Sequence, residues 1–282
     1  MEAPLRRVWQ ARTLNPIFDA PIAGDTTVLA QSVHEVYGFW ARDGALRWQF
    51  PQTGGRWMQW VLRTRFGPVV HGSVDGRWRV VGLGFDGAPR WSLPAERHGT
   101  LGAPSRDGRG LWLAEKPKGG RSRVRRVDRD GAVVAKYDAL DHVTHLLEVE
   151  GALLLAGAQR GTEGLYRMAL PSGDIERVWS GATELVARHA GRTFVSDYSA
   201  DWSRLVALDD HFAEVWTARA NLPDFHRGRV LAMTPGDGGA RVASLDARTG
   251  AVAWSRAVAE ARPLTRVVGV ADLACVDVWS LD

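Results

Sequence analysis

Apolar and polar residues alternate along this chain in short runs, and each run is cut by a glycine, a proline or an Asp–Gly pair. Period-two alternation specifies strands that bury one face, and breaks this frequent leave no room for helices. The clearest run is "SLDARTGAVAW", Ser244 to Trp254. It reads as a strand, a tight turn at Thr249-Gly250 and a second strand that closes on tryptophan. Glycine suits such a turn because it reaches positive φ without a steric cost.

The same figure recurs. It stands in "WARDGALRWQFP" (Trp40 to Pro51) and "LGFDGAPRWSLP" (Leu83 to Pro94), and more loosely in "RVDRDGAVVAKYDA", "MALPSGDIERVWSG" and "VALDDHFAEVWTAR". The closing aromatics are Trp48, Trp91, Tyr137, Trp179, Trp216 and Trp254, spaced by 43, 46, 42, 37 and 38 residues. A period near 40 with turn glycines predicts propeller blades of four strands. "PLRRVWQA", with Trp9, is a closing strand that lacks its own preceding turn, while the chain ends at "VDVWSLD" where a third strand would end. Carried from Trp254 round to Trp9, the spacing is again 37 residues. The expectation is therefore an all-β, seven-bladed β-propeller of four-stranded antiparallel blades. Residues 4–12 would close the ring on three C-terminal strands and so remove two exposed sheet edges. The whole chain, 1–282, reads as one such domain.

"SLDARTGAVAW" resembles the repeat of pyrroloquinoline-quinone-like propellers, whose blades carry A-x-D-x-x-T-G-x-x-x-W; Ser244 replaces the first alanine. The resemblance implies the fold, with the motif acting as a device that docks one blade on the next. Quinone-dependent dehydrogenases of that family carry an adjacent cysteine pair and a calcium site. This chain has one cysteine, Cys275, and no run of closely spaced carboxylates, so no cofactor is expected. The resemblance points to the non-catalytic branch, which includes scaffold subunits of larger bacterial assemblies.

Composition changes this picture little. The chain is 45% hydrophobic and 24% charged, with a net charge of +4. A diffuse excess of that size gives weak attraction for anions and argues against sequence-specific recognition of nucleic acid. The start has no apolar run of leader length and nothing approaches a membrane span, which predicts a cytoplasmic protein.

The repeat accounts for six of the thirteen tryptophans and so marks others as surplus. In "RWMQW", Arg56, Trp57 and Trp60 precede the innermost strand of the second blade; Trp78 opens that blade's third strand, as Trp202 does in the fifth. These residues either fill gaps in the packing or form an aromatic anchor for a protein partner, since Trp and Arg dominate interface energetics. The run "EKPKGGRSRVRRVDR" holds seven cations in fifteen residues. Lys116, Lys118, Arg121 and Arg123 there are either a solvated hairpin or a docking site for an acidic partner. At the channel mouth, aligning the second strands brings Asp19, Trp60, Thr144, Glu184 and Asn221 to one level. His142 and His145 stand three apart, a spacing that on a regular strand puts them on opposite faces and argues against a shared metal. His142 with Glu184 is the alternative, a hydrolase or lyase site at the channel mouth. The reading that absorbs most of these features is a tryptophan-rich scaffold propeller that binds a protein partner through the loops of blades two and three.

Overall fold

The computed structural model describes residues 22–23, 26–51, 57–183, 185–197, 203–236, 239–257, 266–270 and 273–277. Among these residues there are strands and turns and no helix. The first sheet holds β1 (Ile22–Ala23), β2 (Thr27–Gln31), β3 (Val36–Trp40) and β4 (Leu46–Phe50). The second holds β5 (Trp57–Thr64), β6 (Gly67–Val74), β7 (Arg77–Leu83) and β8 (Pro89–Pro94). β9 (Leu101–Pro104), β10 (Gly110–Glu115), β11 (Arg123–Asp128) and β12 (Val133–Asp138) form the third. The fourth is β13 (His142–Val149), β14 (Ala152–Gln159), β15 (Thr162–Ala169) and β16 (Ile175–Ser180). β17 (Leu185–His189), β18 (Arg192–Asp197), β19 (Arg204–Leu208) and β20 (Glu214–Arg219) make the fifth. The sixth is β21 (Asn221–His226), β22 (Arg229–Gly236), β23 (Gly239–Asp246) and β24 (Val252–Ala257). A last hairpin, β25 (Arg266–Val270) and β26 (Leu273–Asp277), packs through β25 on β21 and β22.

These six four-stranded antiparallel meanders match the architecture of a β-propeller. The chain divides into two compact units, one of Met1–Glu115 with Arg125–Lys136 and one of Lys116–Val124 with Tyr137–Asp282. In the first unit one core layer joins Leu29, Val36, Trp48 and Phe50 to Val70, Val81 and Leu83. Another joins Val69 and Val80 to Leu111, Leu113 and Val127. The second unit repeats the scheme, with Leu154, Leu165 and Trp179 against Val195 and Val206. Phe194 and Leu205 meet Val230 and Ala243 in the next layer. Apolar alternation thus buries both faces of a sheet, one against each neighbour.

The repeated turn has a physical logic that runs through both units. An aspartate caps it by accepting backbone N–H groups. Asp43 takes Ala45 N at 3.0 Å, Asp86 takes Ala88 N at 3.1 Å, and Asp209 takes His211 N at 2.8 Å and Ala213 N at 2.9 Å. Asp246 takes Arg248 N, Thr249 N and the Thr249 hydroxyl, each at 3.0 Å. These donors hold the Asp246 carboxyl below the usual carboxylate range. Four of the closing tryptophans then reach the following sheet at or beside its turn. The indole N–H of Trp48 donates to Phe85 O at 3.0 Å, that of Trp91 to Arg129 O at 2.9 Å and that of Trp216 to Ala247 O at 3.3 Å. Trp179 donates to the Glu214 carboxylate at 3.1 Å. The turn glycine lies under the ring, so a Cβ on Gly87 would stand 2.6 Å from Trp48, and one on Gly250 2.8 Å from Trp216. The docking device expected from the motif is therefore present.

Candidate functional site

The surplus tryptophans of the second sheet begin on β5. That strand starts at Trp57, so Trp57 and Trp60 belong to a strand and not to the loop before it. β5 is bulged between Met58, opposite Gly72, and Trp60, opposite His71. An extra residue in one strand re-aims the side chains that follow it. In the next strand His71 faces Val80 and Ser73 faces Trp78. The result is a stack across three strands, with the His71 ring centre 5.4 Å from Trp60 on one side and 5.4 Å from Trp78 on the other.

This stack fastens the β8–β9 connection. The Trp60 indole N–H donates to Thr100 O at 2.9 Å, the His71 Nε2–H to Glu96 O at 3.0 Å, and the Thr100 hydroxyl to Glu96 O at 3.0 Å. Ala95 N donates to Trp78 O at 3.1 Å. The same segment brings the Arg97 guanidinium to 5.9 Å from the Trp78 ring centre, a cation–π contact at an exposed arginine. His71 itself is 0% exposed, and its Nδ1 is buried without a hydrogen-bond partner. Burial pushes its pKa down to about 4, against the Glu96 carbonyl, which favours the protonated ring; the charge of His98 lowers it further.

Trp78 differs from the docked tryptophans. Its ring is half-buried, and among the described residues its N–H makes no hydrogen bond, whereas Trp48, Trp60, Trp91, Trp179 and Trp216 all donate theirs. A half-buried indole with a free donor, beside an exposed arginine, is suited to a partner that is apolar at one point and offers an acceptor at another. The repeat marks Trp60 and Trp78 as surplus, but it gives no signal for His71 or Arg97. The His71–Trp78 side was accessible in principle, since the Asp75-Gly76 turn fixes the β6–β7 register. The Trp60 side depends on the bulge, which has no sequence signal.

The basic run is largely compensated. Arg121 pairs with Asp141 at 3.2 Å and Arg123 lies 3.9 Å from Asp138. Arg125 meets Glu115 at 2.7 Å in a mostly buried pair, and Arg126 meets Asp107 at 2.6 Å. Ser105, Arg109 N and Arg126 hold Asp107 at a pKa of about 2, the serine contributing most. Lys116 lies just after β10 and Lys118 in the β10–β11 turn.

Of the residues expected at the channel mouth, Trp60, His142, Thr144 and Asn221 lie among the described residues. β13 is bulged at Thr144, so His142 and His145 lie opposite Ala158 and Ala156, two residues apart on the partner strand. They therefore share a face, and the expectation of opposite faces is corrected: the inserted residue cancels the odd spacing. The same register sets Trp60 level with His145, one residue beyond the expected Thr144. Thr144 instead donates its hydroxyl to Thr183 O at 2.9 Å. His142 is exposed. Asn221 is buried and its side-chain oxygen accepts Ser203 N at 2.7 Å, which makes it a fastener of the fifth and sixth sheets. Asp19, Arg56, Glu184 and Trp202, with the side chain of Trp57, lie outside the described residues. Among the described residues no three His, Cys, Asp or Glu side chains converge as metal ligands. No described helix is long and apolar enough to cross a membrane.

No protein-family model matches the chain, and no curated protein is similar in sequence. Solved structures are similar in fold. BamB from Moraxella catarrhalis superposes with a TM-score of 0.62 at 16% identity, covering 96% of this chain and 83% of that one. The dihydro-haem d1 dehydrogenase NirN, solved in complex with DHE, gives 0.64 at 14% identity and covers 93% and 62%. AztD from Citrobacter koseri gives 0.62 at 12% identity over 91% and 79%. Likeness at this identity establishes the β-propeller fold. One of the three is a dehydrogenase by name, and fold alone assigns no activity.

Proposed function

We propose that this protein is a non-catalytic scaffold propeller that binds a protein partner through the loops of its second sheet, with Trp78 and Arg97 as the anchor. The observation that carries this reading is the ring held by His71 and flanked by a guanidinium, with its indole N–H unused. A pre-set aromatic loses little conformational entropy on binding, and Trp and Arg are both enriched among hot spots. Arg56 and Trp57, which the sequence sets beside Trp60, are included in the proposed surface. Lys116 and Lys118 are a separate cationic contribution; Arg121 and Arg123 contribute less, because carboxylates already neutralise them.

The proposal includes seven blades closed by residues 4–12. Two features support it. Trp254 is 40% exposed, whereas Trp48 and Trp179, covered by the following sheets, are each 8% exposed. The β25–β26 hairpin supplies two strands beyond the sixth sheet. A seventh blade would bring to Trp254 the kind of turn that receives Trp48 and Trp216.

Quantitative affinity capture from the native host tests the docking surface. Trp78→Ala with Arg97→Ala is expected to weaken retention of the specific partner at least about tenfold, the scale of one strong hot spot. Arg248→Ala, in the β23–β24 turn of the sixth sheet, is expected to leave it unchanged. Equal retention by all three proteins rejects the surface.

A further inference from the structure

A second feature lies on the other side of β7, within the first unit. Val80 faces the core shared with β10 and β11, and Val81 faces the core shared with β3 and β4. Alternation therefore sends Arg77 and Arg79 to the Val81 side, away from Trp78. There they line a cleft of about 870 Å³ between β4 and the outer strands of the second sheet. Trp48, Phe50 and Pro51 contribute apolar surface to its lining.

The two arginines are placed for an anion. Residues two apart on a strand stand roughly 6.6 Å apart on one face, close enough for both guanidinium forks to reach one headgroup. Arg79 is held by donating to the Ser92 hydroxyl at 3.0 Å. Neither arginine forms an ion pair among the described residues, in contrast to Arg121, Arg125 and Arg126 of the basic run. The carboxylates on the rim set the limit. Asp86 is engaged by Arg90 at 2.8 Å, and Asp75, at the β6–β7 turn, faces the cleft as a single negative charge. One headgroup is matched by this balance; a polyanion would meet Asp75. The volume lies in the range of small-molecule sites, which pair an apolar lining with a few placed polar groups.

We propose that this cleft binds a small organic anion, with one carboxylate, phosphate or sulfonate on Arg77 and Arg79 and a flat apolar body on Trp48, Phe50 and Pro51. The site is independent of the partner-docking surface, since the two occupy opposite faces of β7.

Fluorescence titration of the full chain tests it with two probes of like shape, 8-anilinonaphthalene-1-sulfonate and the neutral N-phenyl-1-naphthylamine. The wild type is expected to bind the sulfonate at least about tenfold more tightly, with benzoate displacing it at lower concentration than inorganic phosphate. Arg77→Ala with Arg79→Ala is expected to abolish the preference for the sulfonate, and Arg42→Ala to leave it intact. Arg77→Ala alone, at an exposed residue without an ion pair, is expected to reduce the preference and keeps the test valid if the double variant does not fold. Equal affinity for the two probes in the wild type overturns the proposal, as does a preference that survives the double variant. Phosphate competing as well as benzoate overturns the assignment to an apolar anion.

Discussion

His71 is the side chain through which Trp60 and Trp78 become neighbours, and its protonation state is a stability statement. With Nε2–H committed to Glu96 O, a proton can add only at the buried Nδ1, which has no acceptor. The folded pKa of about 4 lies below the ordinary value near 6.5, so between those two pH values the unfolded chain binds more protons than the folded one. The contribution is present in full above pH 6.5 or so and is lost as pH falls to about 4, roughly 3 kcal/mol in all. His145 and His189 are also shifted downward by burial and add slopes of the same sign. Urea unfolding of wild type and His71→Gln at pH 7 and pH 4.5 separates them. The variant is expected to lose less stability between the two pH values, and parallel losses would mean that His71 is protonated as easily as in the unfolded chain.

At the scale of elements, the turn between third and fourth strands does two jobs, reversing the chain and receiving the previous sheet's aromatic ring. Gly76 and Gly87 separate them, since both belong to the second sheet and have nearly the same φ, +72° and +78°. A Cβ at Gly76 meets nothing within 4 Å, while one at Gly87 meets the Trp48 ring. Gly76→Ala is expected to cost about 1 kcal/mol, the backbone penalty alone, and Gly87→Ala at least about 2 kcal/mol more. Equal losses on thermal or urea unfolding would mean that the turn does not carry the docking contact. Such turns were the legible part of the sequence, because Asp, Gly and Trp announce them at fixed offsets. Bulges at Gln59 and Thr144 were not, since a single inserted residue leaves no compositional mark yet changes which side chains meet. That is why a spacing of three, read as regular strand, sends His142 and His145 to opposite faces, whereas the bulge returns them to one.

For the molecule as a whole, the repeat spacing predicts seven four-stranded blades, because each blade must present the same ring to the same kind of turn, and six four-stranded sheets are present among the described residues. The anchor was only half visible. Trp60 and Trp78 stood out because the repeat has no use for them, but Arg97 lies in a connection of no distinctive pattern. The proposed closure by residues 4–12 gives its own expectation. Deleting residues 1–12 should then uncover a sheet edge, lowering the unfolding midpoint and promoting self-association in sedimentation velocity. A truncated chain as stable and as monomeric as the full one would rule out that role for the N-terminal strand.

The central claim, a partner held at Trp78 and Arg97, is tested most directly by site-specific photocrosslinking in the native host. A benzophenone amino acid replaces His98, the exposed neighbour of Arg97, in one protein and Lys136, on β12 away from the face loops, in another. The expected result is one discrete crosslinked partner from position 98, lost when Trp78→Ala is added, and none from position 136. A partner captured equally from both positions, or captured at 98 regardless of Trp78, would contradict it.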